Sequence, residues 1–194
     1  MKPVFTSLSA QLKTLVMLPL VGLAILIQAG CTSVNMNPIR IEPSVDLARF
    51  MGDWYVIACI PTFIEKQATN AVETYELKEP RVIATTFSFN KGGFDGPLKV
   101  FRPTGFVRDD PSNAVWGMQF IWPIKADYRI VFLDGDYELT IIGREKRDYV
   151  WIMARQPIIA EADYARLVTM VAEQGYDVSK LMRIPQQSLA ERGR

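Results

Sequence analysis

Beyond residue 52 the chain is cut at short, regular intervals by turn-forming residues, and this spacing constrains the fold more than any other feature. The breaks are Lys78-Glu79-Pro80, Asn90-Lys91-Gly92-Gly93, Arg108-Asp109-Asp110-Pro111-Ser112, Asp134-Gly135-Asp136 and Gly143-Arg144-Glu145-Lys146. Gly, Pro, Asn and Asp favour reversals because they reach, or fix, the backbone angles a turn needs. Between the breaks lie eight strand candidates, roughly 53–60, 70–78, 81–90, 97–107, 113–121, 127–133, 136–142 and 149–155. Short strands joined by tight turns become antiparallel neighbours, in a sandwich or a closed barrel. Periodicity alone leaves both open.

Alternation within the strands says what their faces do. Trp116, Met118, Phe120 and Trp122 stand two apart and share one face. The same holds for Phe87 and Phe89, for Tyr128, Ile130 and Phe132, and for Tyr137, Leu139 and Ile141. Any one stripe reads as ordinary core. Four bulky inward faces together would overfill a small closed barrel unless its middle stayed open for a ligand. One helix is expected over about 161–174, where Tyr164, Leu167, Val168 and Val171 form a single apolar stripe. Glu161 and Asp163 suit its N-terminal end, Gly175 its stop, and packing outside the β domain its stripe.

The first thirty residues are of another kind. Lys2 and Lys13 lead an apolar run, Leu15 to Ile27, that closes on Gln28-Ala29-Gly30-Cys31. A charged start, a short apolar middle and small residues before a cut site make a secretory signal peptide, residues 1–30. The run falls short of the roughly 20 residues a spanning helix needs. A cysteine directly after Ala29-Gly30 resembles the lipobox of bacterial lipoproteins, which makes Cys31 the expected lipidation site and new N-terminus. Gln28 departs from that pattern, in which Leu is usual. Residues 31–46, with two prolines and no apolar period, are expected to be a lipidated N-terminus and tether.

Composition removes several functions. With Lys2 and Lys13 taken from 22 basic side chains, against 21 acidic ones, the mature chain is near neutral. Such a balance leaves no basic stripe for a phosphate backbone, so nucleic acid is not an expected partner. The chain contains no histidine. That excludes Ser-His-Asp and Cys-His catalysis and the commonest zinc ligand, and neither metal nor cofactor is expected. Its two cysteines are Cys31 and Cys59; once Cys31 carries lipid no disulfide can form within the chain. Counting by two from Trp54 turns Cys59 outward unless a bulge intervenes, where it is a small apolar filler rather than a catalytic thiol.

Asp46-Leu47-Ala48-Arg49-Phe50-Met51-Gly52-Asp53-Trp54-Tyr55 resembles the Gly-x-Trp signature of the lipocalin family in its bacterial form. The stretches 128–137 and 147–157 resemble the family's second and third conserved regions, and Gly175-Tyr176-Asp177-Val178-Ser179-Lys180-Leu181 the ending of bacterial outer-membrane members. The resemblance implies an eight-stranded antiparallel up-and-down β-barrel over residues 47–185, one helix outside, one end closed, and a short tail over 186–194. It implies structural roles for Gly52, Trp54 and Arg155, with Trp54 plugging the closed end and Arg155 stacked on its indole. Phe87, Phe89, Trp116, Met118, Phe120, Trp122, Tyr128 and Phe132 are then the candidates for the pocket wall. The implied ligand is a fatty acid or lysophospholipid, stored or carried for membrane maintenance under stress. The implied site is the periplasmic face of the outer membrane, held there by an N-terminal lipid anchor; Thr32 fits, since inner-membrane retention commonly uses Asp there. A homodimer is compatible with the chain. Two alternatives stand beside this: an isomerase-type enzyme using Cys59, and a structural lipoprotein whose barrel is filled solid.

Overall fold

The computed structural model describes residues 37–192; the signal segment and Cys31 lie outside the described residues. A short helix α1 (Leu47–Phe50), capped by the Asp46 carboxylate on the amides of Ala48 and Arg49, leads into the sheet. The strands are β1 (Gly52–Ile60), β2 (Ala68–Glu79), β3 (Val82–Lys91), β4 (Leu98–Phe101), β5 (Thr104–Val107), β6 (Val115–Ile121), β7 (Ile124–Leu133), β8 (Leu139–Gly143) and β9 (Val150–Ala154). Each pairs antiparallel with its neighbour, and β9 returns to β1 through Tyr55 opposite Ala154 and Ile60 opposite Val150. The sheet therefore closes and leaves no long free edge.

β4 and β5 are two pieces of one strand position, both paired with β3. The expected single strand over 97–107 breaks at Arg102-Pro103, where proline has no N–H to give the ladder. Counted so, the barrel has the eight strands that the alternation and turn spacing imply. β8 begins at Leu139, later than expected, because Tyr137 sits in the preceding turn at a positive φ.

The ladder has several register shifts, and those in β1 and β7 move candidate residues to the other face. In β1 the register shifts between Val56 and Ala58, so Val56 and Cys59 face the barrel interior while Ala58 and Ile60 face outward. Cys59 is thus an interior residue, not an outward one. In β7 the register shifts between Ile130 and Phe132. Tyr128, Ile130 and Leu133 then belong to the interior cluster, and Phe132 leaves the pocket wall for the outer layer.

Helix α2 (Glu161–Glu173) covers that outer layer. Its buried Leu167 and Val171 pack in one cluster with Ile57, Ala58, Val131, Ile141 and Ile152 on the outside of the barrel. Gly175, at φ +88°, follows the helix where a left-handed residue is needed. Beyond it β10 (Met182–Arg183) adds to β1. The amide nitrogen of the Gln186 side chain then donates to the carbonyls of Val56 (2.7 Å) and Ala71 (3.0 Å), fastening the start of the expected tail. Residues 37–46 likewise lie on the barrel rather than standing off as tether. Ile39 and Val45 are buried, and the Glu42 and Val45 amides donate to the carbonyls of Ile130 and Ser112.

Candidate functional site

An up-and-down barrel sends alternate connections to the same end. The turns 80–81, 108–114 and 134–138 fall at one end, with α1 and Trp54. This end is filled. Trp54 is fully buried, its indole N–H donates to the Phe50 carbonyl at 2.9 Å, and the Arg155 guanidinium lies 3.9 Å from the ring centroid. Arg155 also donates to the carbonyls of Asp53, Arg49 and Met51 at 2.8–2.9 Å. Gly52 takes φ +94°, and a Cβ there would meet that guanidinium at 3.4 Å. Phe50 packs at ring-centroid distances of 5.1 Å from Trp54, 5.5 Å from Tyr75 and 5.6 Å from Trp116. Trp116 therefore belongs to this plug and not to a pocket wall.

The connections 61–67, 92–97, 122–123 and 144–149 emerge at the other end, around the mouth of a cavity of about 630 Å³. That volume lies within the range of small-molecule sites. A barrel filled solid is excluded. Of the pocket-wall candidates, Phe87, Phe89, Met118, Phe120 and Tyr128 line the cavity. Trp122 does not. It stands at the β6–β7 hairpin tip, 82% exposed. The sequence pattern missed Phe101, stacked on Phe87 and Phe89, and the wall formed by Ile142, Trp151 and Met153.

Polar groups in the cavity fall into two sets. Lys91, Lys99 and Arg144 come from strand ends and a loop at the mouth. Deeper lies a carboxylate no stripe announced. Glu73 is an inward residue of β2, level with Trp54 on β1 and Phe87 on β3. The Tyr75 hydroxyl donates to its Oε2, and the Tyr75 and Tyr128 hydroxyl oxygens are 2.5 Å apart. Burial pushes the Glu73 carboxyl up to about 7; the Tyr75 hydrogen bond opposes this and the charge of Glu65 adds to it. Burial also raises Tyr75 and Tyr128, so both stay protonated donors. Glu65, on the β1–β2 loop at the mouth, is buried and accepts from the Thr62 amide at 2.7 Å, from the Thr62 hydroxyl, and from the Trp151 indole at 3.1 Å.

The interior position of Cys59 does not make it a nucleophile. It is fully buried, is not part of the cavity wall, and burial followed by the charge of Glu65 drives its thiol well above the usual range. Among the described residues no group of His, Cys, Asp and Glu could hold a metal ion, and no helix is long and apolar enough to cross a membrane.

Comparison with known proteins decides the family. Residues 45–186 match the family described as Lipocalin-like domain. The chain belongs to the lipocalin family. This lipocalin is 31% identical to temperature-induced lipocalin-1 of Arabidopsis thaliana over 76% of its own length and 83% of that protein. It is 25% identical to outer membrane lipoprotein Blc of Citrobacter freundii, over 84% of its length and 92% of the relative, and 24% identical to Blc of Escherichia coli, over 88% and 97%. Among solved structures, insecticyanin of the tobacco hornworm Manduca sexta shares the fold, with a TM-score of 0.61 at 16% identity over 79% of this chain and 87% of that one. Lipocalins of this kind are binders of small hydrophobic ligands, and the open cavity of this lipocalin has the size and lining for one.

Proposed function

We propose that this lipocalin binds single-chain lipids, fatty acids or lysophospholipids, and stores or carries them for membrane maintenance. In this reading residues 1–30 are removed and Cys31 carries the lipid that holds the domain at the periplasmic face of the outer membrane. The Blc relatives are outer membrane lipoproteins by name, which supports the location. The observation that carries the proposal is the cavity: about 630 Å³, open at one end, with apolar walls from Phe87, Phe89, Phe101, Met118 and Met153. Lys91, Lys99 and Arg144 at the mouth suit a carboxylate or phosphate headgroup.

The test is a titration of a fatty-acid series and lysophospholipids against tryptophan fluorescence. Burying an acyl chain contributes about 0.8 kcal/mol per CH₂, so affinity should climb with chain length until the cavity is full. Met118→Asp should remove most of the affinity, because an unpaired charge in an apolar wall is costly. Gln119→Asp, on the other face of β6, should change it little. No dependence on chain length, or equal effects at 118 and 119, overturns the reading.

A further inference from the structure

The cavity has a polar group where an acyl tail would end. Ala71, Glu73 and Tyr75 are successive inward positions of β2, between the indole of Trp54 and the ring of Phe87. An inward stripe on this strand would normally be apolar throughout. Glu73 instead places a carboxyl on the cavity surface just above the aromatic plug. One of its oxygens accepts from Tyr75, and Tyr75 in turn can accept from Tyr128. Among the described residues no hydrogen bond reaches the other oxygen, Oε1, and no cation pairs with the carboxyl. That oxygen opens on the cavity, so a ligand tail that reaches it strips it of water, and the cost falls if the tail offers a hydrogen bond.

We infer that Glu73, with Tyr75 and Tyr128 behind it, is the subsite for a hydroxyl at the buried end of the ligand, making the preferred ligand a chain that is polar at both ends. This rests on the acyl-chain reading above and adds to it the choice among chains. The mouth cations take the anionic end, since an anion at the floor would meet Glu73 with no cation beside it. A plain methyl end leaves Oε1 bare. A hydroxyl both donates and accepts, so it satisfies Glu73 whether the carboxyl is protonated or ionised. An ammonium satisfies only the ionised form, and a carbonyl only the protonated one.

The test compares 16-hydroxyhexadecanoate, hexadecanoate and 16-aminohexadecanoate, by calorimetry on the mature protein and on Glu73→Leu and Glu73→Gln. The affinity ratio of the hydroxyl-ended to the methyl-ended acid should fall about tenfold in Glu73→Leu, the size of a buried hydrogen bond lost together with its partner's desolvation. Glu73→Gln, which keeps a donor and an acceptor, should retain most of the ratio. Because the readout is a ratio within one folded variant, a shift in overall stability does not imitate it. A ratio unchanged in Glu73→Leu, with both acids binding, overturns the hydroxyl subsite and leaves the acyl-chain cavity standing. Preference for the amino-ended acid in the wild type overturns it in favour of a cation site. Binding of none of the three removes the acyl-chain reading and this inference with it.

Discussion

Arg155 shows how one side chain joins three parts of the closed end. Its guanidinium covers the Trp54 indole, holds the carbonyls at the end of α1, and lies 3.4 Å from where a Cβ at residue 52 would stand. Trp54→Ala should destabilise the fold by about 3–5 kcal/mol, since the emptied volume lies within a rigid aromatic cluster. Arg155→Ala should cost less, through lost stacking and hydrogen bonds to carbonyls. Urea unfolding of both variants measures this, and lipid affinity should be unchanged in Arg155→Ala, because Arg155 takes no part in the cavity wall. Glu73 gives a prediction of opposite sense. Its carboxyl rises from an ordinary 4.5 to about 7 on folding, so the folded state binds its proton more tightly than the unfolded chain. Stability should therefore fall as pH rises from about 4.5 to about 7, by on the order of 3 kcal/mol, and level off above. Glu73→Gln should flatten that slope and leave acid unfolding below pH 4 in place, where Asp110 and Asp177, whose carboxyls hydrogen bonds hold low, take up protons. Unfolding free energies at pH 5 and pH 8 decide it.

At the scale of elements, helix α2 and the barrel wall separate stability from binding. Leu167 is fully buried between them on the outside of the barrel. Leu167→Ala should cost about 2–5 kcal/mol in a thermal or urea melt while lipid affinity stays within twofold of wild type. What sequence made legible follows from the same geometry. The helix ran to within a residue of its expected end because a 3.6-residue stripe and a following glycine are both local signals. Strand positions were legible for the same reason, and so were the stripes at Phe87, Phe89 and Met118. Alternation failed for Cys59 and Phe132, where bulges at Ile57 and Val131 insert one residue and exchange the faces of the strand. No turn residue marks either bulge, since both are set by pairing across the barrel. Trp116 shares a face with Met118, but depth along a tilted strand is not written in its period, and Trp116 reaches the plug; Trp122 falls past the end of β6, at the hairpin tip. Glu73 did leave a trace, a carboxylate two residues from each of Ala71 and Tyr75 on a half-apolar strand. An alternating stripe broken by one acid was its available signal.

Seen as a whole molecule, the barrel is asymmetric along its axis. The plugged end closes with aromatic packing, whereas the mouth wears large apolar side chains on its outside. Phe63 on the β1–β2 loop is 84% exposed, Phe94 on the β3–β4 loop and Leu98 at the start of β4 project outward, and Ile121, Trp122 and Ile124 surround the β6–β7 turn. Exposed hydrophobics scattered singly need no explanation, but a ring of them around a cavity mouth does. Lys66, Lys91, Lys99 and Lys125 stand among them, exposed, with Asp95 the acid in the β3–β4 loop. Apolar side chains with interspersed lysines match a phospholipid surface: rings and branched chains enter the acyl boundary and ammonium groups meet phosphates. A mouth seated in this way would let a lipid pass from bilayer to cavity without its chain crossing water. Flotation with vesicles of phosphatidylethanolamine and phosphatidylglycerol, using protein that starts after Cys31, should show binding that weakens about tenfold or more for each of Phe63→Ser and Trp122→Ser, and further with salt. Transfer of a lysophospholipid from vesicles should slow in parallel. Affinity for the same lipid below its critical micelle concentration should not change in Trp122→Ser, because Trp122 is not part of the cavity wall, whereas Phe63 also lines the mouth. Vesicle binding and transfer both unaffected by the two substitutions would show that the collar serves another surface and that lipid reaches the cavity through water.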